Sequence, residues 1–484
     1  MSDPHNPYLF CKVNVISTPW EQGLLVINPA PASSDPSPWL PAGEVGDVLL
    51  IHQPDNQPSR KLVVSLGAIS KITFEILRQA GSTAVRWLAK NQIGEAVLDP
   101  TYLIDFGADD AVAAFIEGMY LGAFRFDRYK KANAKTPTQP VVHLIAGDRI
   151  SQWRNKVDEI ETIATSTNLA RDWAHEPANI INPQTLAERV QALFQGTPVN
   201  VTVLDETQLE EMKAGAILAV GQGSKTPARM IILNYPGDQQ QASSQPVILV
   251  GKALTFDSGG YSLKNTEAIV GMKYDKCGGL AVIAALQAAE RLKISQPVIG
   301  IIAAAENMVS EQAYRPDDII TTLSGKTVEI ITTDAEGRLV LADALTYAQS
   351  HYQPKALIDL ATLTGGVVVA LGHVRAGIMS NNDTLVEALT QAGEKTYERL
   401  WRLPLDEEYF KLIQGDEADI KNSGGREGHS ILGGMFLKQF VEADTPWAHL
   451  DIAGMANSAK ELPYCPKGAT GFGVRLLVKY LQAL

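Results

Sequence analysis

From residue 246 onward, short apolar segments alternate with longer segments of helical periodicity. The apolar segments are rich in Val, Ile and Leu, which is typical of buried strands, whereas the segments between them have the spacing of helices. This alternation predicts a mostly parallel sheet that is flanked by helices on both faces. Strands are predicted at 247–250, 298–304, 327–331 and 356–360, and helices at 278–293, 339–351 and beyond 384.

The first part of the chain predicts a second, smaller domain. A chain of 484 residues is longer than one hydrophobic core usually organises. Short β-like runs near the start, helical segments at 69–80 and 109–123, and a strand at 141–146 indicate another α/β domain. A long helical stretch at 152–174 follows, and we place the boundary inside it. The expected domains are therefore a variable N-terminal domain, 1–165, for assembly or regulation, and a C-terminal domain, 166–484.

Composition and charge restrict the classes of partner. The 54 acidic residues exceed the 42 basic ones and give a net charge of -12, which disfavours general affinity for nucleic acid or anionic lipid. No stretch has the apolar length of a membrane span, and the first residues lack the layout of a secretion signal. Three widely separated cysteines are typical of a reducing compartment. We therefore expect a cytoplasmic protein without membrane association.

Ionisable residues are concentrated in three predicted loops of the second half. The first is a glycine-rich loop at 251–260 with Lys264 close behind it, the second is 272–275, and the third is 333–338. Such a sheet binds ligands at the loops beyond the carboxyl ends of its strands, so the three loops are expected to meet. One Lys or Asp beside a strand end is usually a surface residue or a helix cap, so the prediction depends on all three loops together.

Each of these loops contributes carboxylate, which predicts a metal site. The four acidic residues are Asp257, Asp275, Asp334 and Glu336. A partly buried site tolerates four negative charges only when they are compensated, and two divalent cations held by shared carboxylates would compensate them. Oxygen-rich ligands favour Mn²⁺, Mg²⁺ or Zn²⁺. Lys252 would be a further ligand as a neutral amine, whereas Lys264 and Arg338 remain cations.

Other motifs fit the sequence less well. The segment that begins at Asp334 resembles a calcium loop but has Leu345 at its twelfth position, where a Glu is needed. The glycines around Lys252 lack the spacing of a phosphate-binding loop, and no serine lies in a Gly-x-Ser-x-Gly elbow. His175-Glu176 lacks the second histidine of a zinc-protease helix. The sequence therefore disfavours calcium binding, nucleotide binding and serine or HExxH hydrolases.

Several ordered motifs resemble the signature loops of the leucyl (cytosol) aminopeptidase family. The matching segments are 250–264, 272–275, 333–339, 168–172 with 176–177, 305–308, 361–365 and 449–454. They cover roughly residues 165 to 484, whereas the first 160 residues resemble the family's N-terminal domain only loosely. The resemblance implies a metalloaminopeptidase that hydrolyses N-terminal residues from peptides, with a Leu-like preference.

The resemblance also implies a role for each ionisable residue. One metal site would comprise Lys252, Asp257, Asp275 and Glu336, and a more exchangeable one Asp257, Asp334 and Glu336. The ions would be Mn²⁺, Zn²⁺ or Mg²⁺, and a water activated by both would attack the scissile carbonyl. Lys264 would stabilise the oxyanion, and Arg338 would hold a bicarbonate ion that acts as the general base.

Five further residues match positions that line the family's side-chain pocket and imply an apolar preference. They are Met272, Thr362, Gly365, Ala453 and Met455. Each is equally compatible with an ordinary place in the core. Two residues depart from the family pattern, because Thr332 stands where the family usually has Asn, and Lys276 stands where a Met commonly follows Asp275. Lys276 adds a positive charge near the site.

Assembly and the alternative functions follow from less specific features. The resemblance implies a homohexamer with peptides as substrates. A DNA-binding regulator is indicated only by the basic connector 125–135, which contains Arg125, Arg128, Lys130, Lys131 and Lys135. The acidic net charge argues against that alternative, and a solvated charged loop is the simpler interpretation. A catalytically inactive scaffold ranks third, because all seven ionisable site residues are present.

Overall fold

The computed structural model describes residues 7–17, 24–32, 43–52, 59–104, 106–131, 138–237 and 245–484. The chain folds into two compact units. The first comprises Met1–Asn168 and Ala459–Gly468, and the second comprises Leu169–Ser458 and Ala469–Leu484. In the described parts of the chain, no helix combines the length and the apolar composition that crossing a bilayer requires.

The first unit is an α/β domain. Its strands are β1 (Lys12–Ile16), β2 (Leu25–Ala30), β3 (Val48–His52), β4 (Arg60–Ser65), β5 (Glu95–Leu98) and β6 (Val141–Ile145). Its helices are α1 (Phe74–Lys90), α2 (Thr101–Ile104) and α3 (Ala108–Gly122). Helix α4 (Ile150–His175) begins in this unit, and from Leu169 onward it belongs to the second unit. Short 3₁₀ helices lie at Ile69–Lys71 and Gly147–Arg149. Among the described residues the strand order is β1-β6-β5-β2-β4-β3, and the pairs are parallel except β3 with β4.

Helices α1 and α3 of the first unit pack closely because glycine replaces side chains where they meet. The Thr73 hydroxyl caps α1 by accepting from Ile76 N at 3.3 Å. A Cβ added to Gly81 of α1 would lie 2.0 Å from Phe115 O of α3, so a larger residue would force the helices apart. The core of this unit is otherwise aliphatic and aromatic, as its burial pattern shows.

The second unit contains the longer run of strands and helices. Its strands are β7 (Asn200–Leu204), β8 (Arg229–Tyr235), β9 (Val247–Asp257), β10 (Val298–Asn307), β11 (Ile319–Thr321), β12 (Thr327–Glu329), β13 (Ala356–Ala361), β14 (Ala376–Ser380), β15 (Leu400–Arg402), β16 (Ile420–Lys421), β17 (Trp447–Asp451), β18 (Asn457–Ser458) and β19 (Gly468–Ala469). Its helices are α5 (Pro183–Leu193), α6 (Glu206–Glu211), α7 (Gly215–Gly221), α8 (Thr266–Ile269), α9 (Cys277–Arg291), α10 (Gly337–His351), α11 (Gly365–Leu371), α12 (Asp383–Thr396), α13 (His429–Lys438) and α14 (Val474–Leu481), with short 3₁₀ helices at Met272–Tyr274 and Glu407–Leu412.

The main sheet of the second unit is mostly parallel at its centre. Among the described residues its order is β15-β14-β17-β13-β9-β10-β8-β7. Strand β9 pairs in parallel with β10 and β13, and β13 pairs in parallel with β17, whereas β8 joins β10 antiparallel. The predicted α/β class, with a mostly parallel sheet flanked by helices in the larger domain and a smaller α/β domain before it, is confirmed.

Helix α9 lies unusually close to the central strands, which fixes its amino end. A Cβ added to Gly278 would lie 2.2 Å from Leu360 O of β13, and one added to Gly251 of β9 would lie 2.4 Å from the α-carbon of Gly279. Only glycine permits this approach, because any side chain would overlap the opposing backbone. The first turn of α9 therefore packs directly against the backbone of β9 and β13.

Two local predictions are wrong. Much of the segment 251–260, which the sequence predicts as a glycine-rich loop, is strand, because β9 continues to pair with β10 as far as Asp257 opposite Asn307. The strand predicted at 327–331 is shorter and lies outside the main sheet, in a small sheet of order β11-β12-β16. As a result, Lys252 is inside the main sheet rather than in a loop.

A fully buried charge pair connects β13 and β17. Asp359 and His449 are partners in the register of these strands, and His449 Nδ1 lies 2.5 Å from Asp359 Oδ1. The other Asp359 oxygen accepts from Trp447 Nε1 at 2.8 Å. Burial alone would lower the pKa of His449, but the Asp359 carboxylate raises that pKa above its ordinary value. The pair is therefore expected to stabilise the fold in its charged form.

Replacing Asp359 with Asn should remove about 3 kcal/mol of unfolding free energy at about pH 6, because it leaves a buried imidazolium without its counter-charge. His449 has a folded pKa above its ordinary value. Its stabilisation is therefore complete below the unfolded pKa and is lost as the pH rises through the folded pKa. Urea unfolding of Asp359→Asn and wild type at about pH 6 and about pH 9 measures this loss.

The matched control is Asp383→Asn, which breaks an exposed pair with Arg402. It should change the unfolding free energy by less than about 1 kcal/mol. If Asp359→Asn were equally destabilising at both pH values, His449 would have to be neutral in the folded protein.

Candidate metal centre

Four carboxylates converge at the carboxyl end of β9, and we call them the acidic cluster. They are Asp257, Asp275, Asp334 and Glu336. One carboxylate oxygen each from Asp257, Asp334 and Glu336 lies within 4.8 Å of the others. Lys252 connects the fourth member, since its Nζ lies 2.9 Å from both Asp275 Oδ1 and Glu336 Oε1. The three segments that the sequence singles out are therefore brought together.

A β-bulge brings Lys252 and Asp257 to the same side of β9. Residues five apart on a regular strand point to opposite faces of the sheet. The pairing of β9 with β10 shifts between Ala305 and Glu306, which face Leu254 and Phe256, so that Thr255 has no partner in the register. One extra residue in a strand moves the side chain of every later residue to the opposite face of the sheet. The lysine and the aspartate can therefore both reach the acidic cluster.

Lys252 is buried, and its ammonium group is bonded to several neighbouring residues. It is 2% exposed, and its Nζ also donates to Thr362 O at 2.9 Å. Burial would lower the pKa of Lys252, but the neighbouring carboxylates, Asp275 and Glu336 foremost, raise it above its usual range. A Cβ at Gly337 would lie 2.6 Å from Lys252 Nζ. Glycine at the start of α10 is therefore required for the ammonium to occupy this place.

Lys264 contacts the two members of the acidic cluster with which Lys252 forms no ion pair. Its Nζ lies 2.8 Å from Asp257 Oδ2 and forms a short contact with Asp334 Oδ1. The turn before it uses Gly259 and Gly260 at φ values of 84° and 64°, a region that favours glycine. Burial would lower the pKa of Lys264, but these carboxylates raise it above its usual range. Lys264 is therefore a counter-ion to both carboxylates.

Asn307 is a site residue that the sequence prediction missed. Its Nδ2 donates to Asp257 Oδ1 and to Thr333 O, each at 2.9 Å. Gly259 N also donates to Asp257 Oδ1 at 2.9 Å. Asn307 therefore orients one ligand candidate and ties it to the segment that carries Asp334. The available signal was a polar residue at the end of an apolar run, in the strand that follows β9.

Asp275 has one satisfied and one unsatisfied oxygen. Its Oδ1 accepts from Thr362 Oγ1 at 2.7 Å as well as from Lys252. Its Oδ2 is buried and has no hydrogen-bond partner among the described residues. Burial raises the pKa of Asp275 to about 8. A buried acceptor without a donor is costly and is a place where an additional ligand is expected.

The charge balance of the acidic cluster fits divalent cations. Two ammonium groups stand against four carboxylates, which leaves an excess of negative charge when all of them ionise. Burial raises the pKa of Asp334 to about 6. Burial would also raise the pKa of Glu336, but Lys252 and Lys264 hold it below its ordinary value. An oxygen-rich donor set with more carboxylates than ammonium groups suits Mn²⁺, Mg²⁺ or Zn²⁺.

Arg338 is the second residue of α10, two residues after Glu336, and its side chain is buried. Its Nη1 donates to Asn422 O at 2.7 Å, and its guanidinium lies 6.0 Å from the centroid of the Phe436 ring. Its Nε is buried without a hydrogen-bond partner among the described residues. Burial lowers the pKa of Arg338 to about 10. A buried cation with an unused donor is suited to hold a small anion.

The five predicted pocket residues lie on three segments. Asp451 Oδ1 accepts from Leu363 N, Thr364 N and Ala453 N at 3.2 to 3.4 Å, which holds the segments 362–365 and 453–455 side by side. None of the five is fully buried, which favours a lining position over a core position. Their contact with a substrate stays a prediction. The residues are Met272, Thr362, Gly365, Ala453 and Met455.

The basic connector lies in the first unit. Arg125 Nε lies 3.6 Å from Asp127 Oδ2, and the Arg128 guanidinium lies 5.6 Å from the centroid of the Phe126 ring. Lys135 lies outside the described residues. Two of the cations are thus engaged by neighbours within the connector.

Models of known families match most of the chain. The model described as the catalytic domain of the cytosol aminopeptidase family matches residues 168–478, and that of the family's N-terminal domain matches residues 41–133. The chain belongs to the cytosol aminopeptidase family. The resemblance drawn from the signature loops is therefore confirmed.

Individual relatives agree with this assignment over nearly the whole chain. A protein of Syntrophotalea carbinolica, described as a probable cytosol aminopeptidase, is 42% identical over 446 residues, which cover 91% of this chain and 89% of that protein. One of Roseiflexus castenholzii with the same description is 40% identical over 470 residues, covering 96% and 94%. The solved structure of the bottromycin maturation enzyme BotP in complex with Mn matches with a TM-score of 0.86 at 33% identity, covering 95% of this chain and 99% of that one. The DNA-binding alternative gains no support from these similarities.

We expect Gly337→Ala to displace the Lys252 ammonium from Asp275 and Glu336 and to lower the affinity for Mn²⁺ by about tenfold or more. The helix should persist, since alanine is the better helix former. Isothermal titration with Mn²⁺ measures the affinity. Gly94→Ala is the control, because a Cβ there meets no atom within 4 Å. Wild-type affinity in Gly337→Ala would show that the position of Lys252 does not matter for metal binding.

Proposed function

We propose that the protein is a metalloaminopeptidase that removes N-terminal residues from peptides with the help of two divalent cations. The observation that carries the proposal is the convergence of four carboxylates and Lys252 at the end of β9. The names of its relatives, and the manganese complex of BotP, support the same activity. We propose Mn²⁺ or Zn²⁺ as the ions, with Mg²⁺ as a third candidate.

The proposed ligands divide the acidic cluster into two overlapping sites. Lys252, Asp257, Asp275 and Glu336 would hold one ion, and Asp257, Asp334 and Glu336 the other. Bound there, the cations would polarise the scissile carbonyl and lower the pKa of water. The unpaired Asp275 Oδ2 and the excess of carboxylates support this assignment. Lys252 would have to give up a proton, which an adjacent dication promotes.

Lys264 is proposed to stabilise the oxyanion that forms on the substrate. Its ammonium now pairs with Asp257 and Asp334. With cations held by those carboxylates, the ammonium would be able to donate to developing negative charge on the substrate. A preorganised cation of this kind is worth more in a buried site than in water.

Arg338 is proposed to hold bicarbonate. The ion would serve as the general base for the attacking water. The unpaired Arg338 Nε provides a donor that Asn422 O does not use. The guanidinium would fix the anion beside Glu336, and so beside the acidic cluster, from the amino end of α10.

The substrate preference is proposed to be Leu-like. Met272, Ala453 and Met455 would offer apolar surface, and Thr362 and Gly365 would line the same pocket. Met272 and Thr362 adjoin Asp275 through the short 3₁₀ helix and through a hydrogen bond, so a side chain in this pocket would belong to the residue next to the metals. Burial of an apolar substrate side chain there would contribute about 25 cal/mol of favourable free energy per Å² of apolar surface.

Cellular context and assembly are proposed on the family assignment and the sequence. We propose a cytoplasmic homohexamer in which the catalytic domain is 166–484. The N-terminal domain, 1–165, would serve assembly or regulation.

A chromogenic leucine substrate should be turned over by the purified protein with Mn²⁺ and not after chelation, because the cations supply the activated water. Absorbance of the released chromophore measures the rate. The control is the same substrate with an acetylated α-amino group, which should resist cleavage if the free amine is the anchor. Absence of turnover with Mn²⁺ present would contradict the proposed activity.

Asp334→Ala should abolish activity and remove about one metal ion per subunit while the protein stays folded, because Asp334 belongs to only one of the two sites. Metal analysis and circular dichroism measure the two effects. Asp444→Ala, which removes an exposed acid of the same unit, is the control and should behave as wild type. Retained activity in Asp334→Ala would overturn the ligand assignment.

A further inference from the structure

Two lysine side chains cover the carboxyl end of α4. The last carbonyls of a helix have no partner within it. Lys276 Nζ donates to Glu176 O at 2.9 Å, to Ala174 O at 3.3 Å, and in a short contact to Lys273 O. Lys273 Nζ donates to His175 O at 2.7 Å. We call Lys273 and Lys276 the lysine clamp.

The environment of Lys276 explains how an ammonium can be buried there. Its side chain is 0% exposed, and a buried charge is tolerated only when its donors are satisfied. Three carbonyl acceptors match the three N–H donors of the ammonium. The carboxyl end of a helix also carries partial negative charge, which favours a cation. The positive charge that the sequence places near the site therefore has its hydrogen bonds on the main chain of α4 and the adjoining turn.

The two residues of the lysine clamp flank Asp275, a proposed metal ligand, in the sequence. Asp275 lies between Lys273 and Lys276 in the sequence, and its N–H closes the short turn by donating to Met272 O at 3.2 Å. On its other side the chain enters α9, whose Gly278 is pinned against Leu360 O. The backbone of Asp275 is thus fixed by helix packing on one side and by the lysine clamp on the other.

The side chain of Asp275 has little tolerance for movement. Its Oδ1 must reach both Lys252 Nζ at 2.9 Å and Thr362 Oγ1 at 2.7 Å, while Oδ2 stays unpaired in the buried site. A shift of the turn by a fraction of an ångström would lengthen both hydrogen bonds. Rigid support of the turn is therefore a condition for the geometry of the acidic cluster.

We propose that Lys273 and Lys276 are positioning residues for metal binding, which fasten the Asp275 turn to the end of α4 and so preorganise the metal centre. The inference rests on the proposed function, because it takes Asp275 as a metal ligand. Residues that orient a ligand from outside the coordination sphere typically contribute about 10- to 100-fold to metal affinity. Lys276, with three acceptors, should contribute more than Lys273, with one.

The test is Mn²⁺ titration by calorimetry on the full-length protein and its Lys276→Met variant. The affinity of the variant should fall by about tenfold or more. Because a positioning residue does not touch the substrate, saturating Mn²⁺ should restore its kcat. Lys273→Met removes a single hydrogen bond from a partly exposed side chain and should stay folded. Its Mn²⁺ affinity should fall in the same direction by a smaller factor.

The matched control is Lys326→Met, which removes a lysine that donates to Gln439 O just beyond α13. It perturbs the same kind of helix end without touching the Asp275 turn, so Mn²⁺ affinity should stay at the wild-type value. The inference would be overturned if Lys273→Met kept the wild-type affinity and Lys276→Met either failed to fold or bound Mn²⁺ as tightly as wild type. An equal loss of affinity in Lys326→Met would also overturn it. Failure of the wild-type protein to bind Mn²⁺ would instead overturn the proposed function.

Discussion

The electrostatic cost of placing four carboxylates side by side in a buried position governs the second unit. Asp257, Asp275, Asp334 and Glu336 come from three separate segments, and burial by itself disfavours the charged form of each. Lys252 and Lys264 compensate part of the charge, and burial still raises the pKa values of Asp275 and Asp334 above their ordinary values. The surrounding fold must therefore hold these groups together against their mutual repulsion. Bound cations would neutralise the excess negative charge.

The central sheet provides that restraint through unusually tight packing. Strand β9 is bonded on both sides, and glycines let the amino ends of α9 and α10 approach it closely enough for Asp275 and Glu336 to meet Lys252. The bulge at Thr255 then turns Asp257 to the face that Lys252 already occupies. Neither a straight β9 nor a larger residue at Gly337 would be compatible with one compact cluster.

Hydrogen bonds outside the acidic cluster complete the restraint. Asn307 orients Asp257 and reaches the chain next to Asp334, while Thr362 supports both Asp275 and Lys252. The lysine clamp, which donates to the main chain at the end of α4, holds the Asp275 turn in the same way from farther away. A site assembled from several segments can thus be as rigid as one assembled on a single element, provided that each segment is anchored to a packed helix or strand.

The sequence by itself determined the fold class and the identity of the charged residues. Periodicity is a local property, so the alternation after residue 246 sufficed to predict strands, helices and a mostly parallel sheet. The density of ionisable residues at 257, 275, 334 and 336 likewise pointed to a metal site, and the order of the motifs pointed to the family. These inferences need only the spacing of residues along the chain.

The tertiary structure alone decided the register of β9, the separate small sheet before Asp334, and the supporting roles of Asn307 and Lys276. A bulge depends on pairing with β10. The segment 251–260 resembles a loop in sequence, but Gly251 serves close packing against α9, and only Gly259 and Gly260 form a turn. Two of the three acceptors of the Lys276 ammonium lie about a hundred residues away, at the end of α4. Such contacts are set by three-dimensional packing, which the spacing of residues along the chain does not encode locally.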